Sequence, residues 1–463
     1  MSVSVSYDEN DRLTLAGLEC DCACHHEQPA QDIYMGKDLL ARVPSFIEAR
    51  GLGRRCVLVA DDITYEVAGR SVEETLVRAG FEVIPCVVRR EDEMLPDETA
   101  CGEVLLSILP DTEFLISVGS GSVTDITRIN ATRTKLPFVS VGTAPSMDGY
   151  TSVVAPLLLR RVKIQRAGVC PDIIVCDLDV MATAPLAMAA SGAGDVLGKY
   201  IANADWLLGT IINGEPYCPV CASLVMGAAA KILDNVDEIA RKTETGMRAL
   251  VEALILSGLS ILIIGHSRAA ASIEHNIAQY WEMQLVQRGR IPPKHGAAVG
   301  VATLLVWPLF RRFASEDLSL LDLGQIQRNR ISREERERWM VRAFGEEGGR
   351  TIMRENPEDF LTWEEQERRI RVAQARFPEI RAVIEAMPPQ ADIEHTLRTL
   401  HGDMTPDDEG IGPDLLDLSL RCGKDYRSRY TLLKLLDECG LLAEYLAAPS
   451  SVPGQAGRGS GAS

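Results

Sequence analysis

Glu113-Phe-Leu-Ile-Ser-Val-Gly-Ser-Gly-Ser-Val-Thr-Asp125 decides how this chain is read. The run EFLISV over 113–118 is rich in β-branched and aromatic residues and reads as a strand. It passes into Gly119-Ser-Gly-Ser-Val123, where a helical stretch opens. A strand, a turn of small residues and a helix start together aim unpaired N–H groups at an anion. The stretch lacks a full Gly-x-Gly-x-x-Gly, and no Gly-Lys-Ser/Thr follows. It therefore stands between a cradle for a nucleotide pyrophosphate and a tight structural turn.

The same alternation continues on both sides. Upstream, CVLVA (56–60) and FEVIPCVV (81–88) read as strands, with helical spacing over 66–80 and 103–109. Downstream, FVSV (138–141) and DIIVCD (172–177) are two more strands. Continuous apolar strands separated by helices predict a parallel sheet covered on both faces. From about Ala182 no convincing strand follows; helical stretches cover 194–210, 218–237, 245–265, 270–288 and 296–313. The expected fold class is α/β. A Rossmann-like nucleotide-binding domain spans 1–181, an all-helical domain spans 182–448, and a low-complexity tail spans 449–463. A cleft between the domains is the natural ligand site.

The 463 residues are 46% apolar and 25% charged, the composition of an ordinary globular protein. With 48 Lys and Arg against 66 Asp and Glu, the net charge is −18. So acidic a chain is a poor partner for nucleic acid or an anionic membrane. The N-terminal residues carry no secretory pattern, which points to the cytoplasm. The apolar run at 253–265 falls short of the roughly 20 residues that span a bilayer and reads as a core helix. The 12 cysteines are then expected as reduced thiols. Cys218-Pro-Val-Cys221 is a lone pair, and Cys20-Asp-Cys-Ala-Cys-His-His26 lacks a distant partner cluster in the sequence, so both are read as packing thiols rather than metal sites. The segment 328–371 alternates charge sign and reads as a solvated helical face. Arg89-Arg90 fits either a ribose 2′-phosphate contact or a solvated turn.

Several polar residues stand where chemistry is expected. The loop after 138–141 holds Thr143, Ser146, Asp148 and Ser152, at the carboxyl end of a parallel strand, and reads as a ligand loop or an Asx-rich turn. Asp195, in Ser191-Gly-Ala-Gly-Asp195, reads as a helix N-cap or a ligand. His275 lies within a helical stretch and His295 begins the next one. One carboxylate and two imidazoles from three helices can hold a divalent metal with positions left open for substrate. Taken singly, each is more ordinarily a cap or a satisfied histidine.

The ordered set VGSGSVTD, TAPSMDGYTS, GAGD, SRAAASIEH and KHGAAVG resembles the sn-glycerol-1-phosphate dehydrogenases, in their bacterial, AraM-like branch. This group is similar in fold to glycerol dehydrogenases, iron-containing alcohol dehydrogenases and dehydroquinate synthases. The cysteine-rich start, Ile33-Tyr-Met-Gly-Lys37 and Arg429-Tyr-Thr431 fit the same branch, so the resemblance runs from about Cys20 to Tyr445. It implies NAD or NADP as cofactor and one divalent ion, zinc or nickel, on Asp195, His275 and His295. It implies cofactor contacts at Asp61, Gly119, Ser120, Gly121, Ser122, Val123, Thr143, Ala144, Pro145, Ser146 and Ser152. Asp148 would contact substrate, and Asp195 would touch both substrate and metal. The chain departs from the family at Gly142-Thr143, usually Pro-Thr, and at Gln279, where a second histidine is common. Gln279 shares a helix face with His275 and hydrogen-bonds without relaying a proton near neutral pH.

The expected activity is hydride transfer between NAD(P)H and dihydroxyacetone phosphate, giving sn-glycerol 1-phosphate, by a cytoplasmic homo-oligomer. Lys163 is a candidate for the substrate phosphate. Three alternatives remain: a dehydrogenase of another polyol or polyol phosphate, a dehydroquinate-synthase-like cyclase, and a binding protein without turnover.

Overall fold

The computed structural model describes residues 3–24, 26–90, 94–357 and 360–447; His25 and the tail at 449–463 lie outside them. Six strands form one parallel sheet: β3 (Asp32–Gly36), β4 (Arg55–Asp61), β5 (Glu82–Val88), β6 (Phe114–Gly119), β7 (Phe138–Gly142) and β10 (Ile173–Asp177). Their spatial order is β3-β10-β7-β6-β4-β5. Side chains of a strand alternate between faces. Cys56, Leu58 and Ala60 of β4 accordingly join one apolar layer with Phe46, Val72 and Leu76. Val57 and Val59 join the opposite layer with Val104, Val123 and Ile126. Both faces are covered, which is why the strands read as unbroken apolar runs. β5 is an outer strand, and Pro85 sits in its middle, opposite Leu58.

Three strand features were not foreseen. β1 (Ser4–Tyr7) and β2 (Leu13–Ala16) form an antiparallel hairpin, and Arg12 bridges to Tyr34 of β3. β3 lies at the opposite edge of the sheet from β5. β8 (Val154–Leu159) and β9 (Val162–Ala167) form a second hairpin, turned by Arg160 and Arg161 at φ 52° and 63°. Burial alternates only over Val154–Leu157 and β9 is largely exposed, so the segment carries little strand signal.

After Asp177 the described residues are helical, as expected. Buried Trp206, Trp281 and Trp307 lie in one large core with the Glu244–Ile264, Ile273–Gln287 and His295–Phe313 helices. The Glu244–Ile264 helix is longer than its apolar run and is apolar enough to cross a membrane by length and composition, yet 83% of its most apolar window is buried in this core. One expectation needs correction. The stretch 194–210 is two helices, Leu186–Leu197 and Lys199–Asn213, joined at Gly198. Asp195 thus lies in the last turn of a helix and is not an N-cap. The helix begins earlier because Pro185 starts it and the small residues Ala189 to Gly194 pack without space for larger ones.

Candidate functional site

A cleft of about 1400 Å³ runs between the carboxyl ends of the strands and the helical half. On the sheet side, the Gly121–Thr134 helix begins two residues after β6, with no side-chain cap and no acid in its first turn. Its first N–H groups are therefore left for a ligand, and the helix dipole favours an anion there. Gly119 is required by a close approach, since a Cβ there would lie 2.5 Å from the Val123 side chain. The neighbouring loops are tied: Ser120 Oγ to Ser146 Oγ at 2.7 Å, and Thr143 N donating to Gly119 O at 3.1 Å. Asp61, Ser120, Gly121, Ser122, Val123, Thr143, Ala144, Ser146 and Ser152 all line the cleft. Gly119 and Pro145 stand behind this wall. Asp61 also caps its own helix, its Oδ1 accepting from Thr64 N at 2.7 Å. Ser152 Oγ bonds Val154 N and O, so it shapes the loop as well.

On the helical side, Asp195, His275 and His295 converge, with one ligand atom from each within 4.8 Å of the others. Two glycines explain how. A Cβ on Gly194 would lie 2.4 Å from Gly296 O, and one on Gly296 would lie 1.9 Å from Ser191 O. The Leu186–Leu197 and His295–Phe313 helices touch backbone to backbone there, placing Asp195 and His295, each next in sequence to one of these glycines, side by side. His275 Nδ1 is bonded to Glu274 Oε1, and His295 Nδ1 to Glu282 Oε1, both at 2.7 Å. Carboxylates so placed fix the rings and leave the Nε2 atoms for another partner. Burial disfavours the Glu282 carboxylate, but Lys163 and His295 outweigh it and pull its pKa down to about 2.

A buried lysine completes the group. Lys199 Nζ lies 2.6 Å from Asp195 Oδ1, 3.0 Å from Asp148 Oδ2 and 3.4 Å from His275 Nε2. Burial works against charge on both partners. Lys199, His275 and His295 nevertheless hold the Asp195 carboxyl well below the usual range, and Asp148 and Asp195 raise the Lys199 ammonium above its ordinary value. Asp148 joins the two sides of the cleft. Its N–H donates to Asp195 Oδ2 at 3.0 Å, and its Oδ2 accepts from Ser257 Oγ at 2.8 Å. Arg128, fully buried, holds the same loop through Gly149 O at 2.7 Å.

Beyond His275 the cleft becomes cationic. Gln279 Oε1 accepts from Arg427 Nη2 at 3.3 Å, and Arg427 and Arg429 line the cleft beside it. Burial, with Arg427 and Arg268 nearby, lowers the Arg429 pKa to about 9. Lys163, reached by the β8–β9 hairpin, is paired with Glu282. Arg90 also lines the cleft but is paired with Glu103 at 2.9 Å.

A family model described as iron-containing alcohol dehydrogenase matches residues 34–185. A glycerol-1-phosphate dehydrogenase [NAD(P)+] from Halalkalibacterium halodurans is 31% identical over 91% of this chain and 96% of its own. The chain belongs to the glycerol-1-phosphate dehydrogenase family. A Bacillus subtilis member is 38% identical, over 62% of this chain and 73% of its own. Among solved structures, glycerol dehydrogenase from Schizosaccharomyces pombe is 15% identical at a TM-score of 0.59, covering 93% of this chain and 92% of its own. Sulfoacetaldehyde reductase from Bifidobacterium kashiwanohense, solved with NAD+, is 16% identical at a TM-score of 0.57, covering 93% and 100%. At such identities these two show the shared fold alone.

For this family member, sequence reasoning left Lys199, Glu274, Glu282, Ser257, Arg128 and Arg427 without a role. Lys199 and Glu274 had a readable signal, as charged residues inside apolar helical stretches beside an expected ligand. The others are recognisable only once the fold brings their partners near.

Proposed function

We propose that this chain is a metal-dependent oxidoreductase that interconverts dihydroxyacetone phosphate and sn-glycerol 1-phosphate with NAD(P). The convergence of Asp195, His275 and His295 on a cleft whose opposite wall is an uncapped helix N-terminus carries the reading. One carboxylate and two imidazoles, each imidazole oriented by its own carboxylate, suit a divalent ion of the zinc or nickel type. When bound, the ion supplies a Lewis acid for the substrate carbonyl, and the nicotinamide supplies the hydride.

The chain's own residues do the rest. The turn from Gly119 to Val123 and the loop from Thr143 to Ser146, with Ser152 and Asp61, hold the cofactor on the sheet side. Asp148 orients a substrate hydroxyl, fixed in place by Ser257 and Lys199. Asp195 positions substrate from beneath it. Gln279 aims Arg427 at the substrate phosphate, which gives the departure from histidine a purpose. The cationic group at Arg427 and Arg429 favours a phosphorylated substrate over a neutral polyol. The protein would act in the cytoplasm as a dimer or larger homo-oligomer, a part of the proposal carried by family membership.

The test is a coupled pair of assays following nicotinamide absorbance with the metal-loaded protein. Dihydroxyacetone phosphate should be reduced and dihydroxyacetone should not. Asp195→Ala, His275→Ala and His295→Ala should each lose the cleft metal and turnover together. Full activity and metal content in all three variants would defeat the assignment. Preference for the unphosphorylated substrate would favour the polyol reading.

A further inference from the structure

The fold brings a second set of ligand-type side chains together, remote in sequence and outside the cleft. Cys20, Cys22 and His26 meet Cys218, with one ligand atom of each within 4.8 Å of all the others. Cys218, read from sequence as half of a packing pair, is thus the distant partner that Cys20–His26 lacked. His26 Nε2 lies 3.3 Å from Cys22 Sγ and 3.2 Å from Cys218 Sγ. Zinc bonds of about 2.3 Å to sulfur and about 2.0 Å to nitrogen give tetrahedron edges of roughly 3.5 to 3.8 Å, close to this spacing.

Two further observations favour a metal over thiols that pack by accident. Cys218 is the N-cap of the Pro219–Asp234 helix, and its sulfur accepts from Cys221 N at 3.4 Å. That contact fixes the Cys218 sulfur where it faces His26, rather than leaving it free to turn into the apolar core. The segment carrying the other three ligands also needs an anchor. Among the described residues from Gly17 to Gln31 there is no helix or strand, and Glu27 N donating to Ile263 O at 2.8 Å is its backbone tie to the helical half. Packing alone asks the three thiols to meet apolar neighbours; it does not ask them to surround one imidazole.

We propose that Cys20, Cys22, His26 and Cys218 form a structural zinc site that clamps the N-terminal strap onto the Pro219–Asp234 helix. Three thiolates and one imidazole are a closed structural set, and thiolates select zinc over the harder ions an oxygen-rich site takes. The site has no open position for substrate. Its role is mechanical: the strap continues directly to Glu27, which lines the cleft.

Cobalt substitution of the full-length protein tests this. The cleft set offers only oxygen and nitrogen, so sulfur-to-cobalt charge-transfer bands can come only from the cysteine set. We expect those bands in the wild type and in Asp195→Ala, with one zinc per chain retained by Asp195→Ala as purified. Cys218→Ser and Cys20→Ser should each lose the bands and that zinc. Where a cysteine variant fails to fold, the wild-type and Asp195→Ala spectra decide. A cobalt protein without sulfur bands overturns the proposal, as does a purified chain lighter by two hydrogens with Cys218 in a disulfide.

Discussion

Lys199 is the residue whose position most constrains the site. Its ammonium stands between two carboxylates in a fully buried setting. Removing one partner of such a group leaves uncompensated buried charge, which costs about 3–5 kcal/mol. Lys199→Met should therefore destabilise the metal-free protein by that order in denaturant unfolding, with part of the loss recovered when a divalent ion is added. Unchanged stability would mean that Asp148 and Asp195 do not depend on this cation. Gln279 and Arg427 set a second expectation. A hydrogen bond to a charged group contributes about 1.5–3 kcal/mol, so Arg427→Ala should raise KM for dihydroxyacetone phosphate by roughly 10- to 150-fold. Gln279→Ala, which only loosens Arg427, should have a smaller effect in the same direction. Equal KM values in Arg427→Ala and wild type would place the phosphate elsewhere.

Among the elements, the helix pair meeting at Gly194 and Gly296 fixes the distance between Asp195 and His295. A methyl group at Gly296 meets the Ser191 backbone, which cannot rotate away as a side chain can. Gly296→Ala should separate the helices, destabilise the protein by about 1–3 kcal/mol and lower kcat by roughly 100-fold through misplacement of the site. Metal affinity and kcat at wild-type values would show that the helices have slack. The central strands were legible in sequence because burial on both faces leaves a continuous apolar run, as in FLISVG of β6. The β8–β9 hairpin was not, because one of its strands is largely exposed and its turn uses two arginines in place of the Asn-Gly that advertises such a turn. Asp195, His275 and His295 were legible through their motifs. Of their supporting carboxylates, Glu274 had a signal in its place beside His275, but Glu282 had none, because a charged residue in a helical stretch reads as surface until the fold buries it.

For the molecule as a whole, stability should respond to Glu409, a largely buried acid in the helical half. Its Oε1 has no hydrogen-bond partner, and burial with Asp403 and other acids nearby pushes its pKa up to about 8. The folded chain thus binds a proton that the unfolded chain releases near its ordinary pKa of about 4.3. Folded protein holds more protons in this window, so stability falls as pH rises from about 4.3 to about 8 and is flat beyond. Glu409→Gln should match wild type near pH 4, below the unfolded-state pKa, and melt a few degrees higher above pH 8, read by thermal unfolding. A constant difference at both pH values would remove Glu409 as the cause. The sheet's free side has its own consequence. β5 is outermost, and Pro85 deprives it of a backbone donor at mid-strand. A neighbouring chain that tried to extend the sheet by annealing to this margin would find a gap in the hydrogen-bond ladder. Concentrated protein is thereby shielded from strand-to-strand polymerisation along β5.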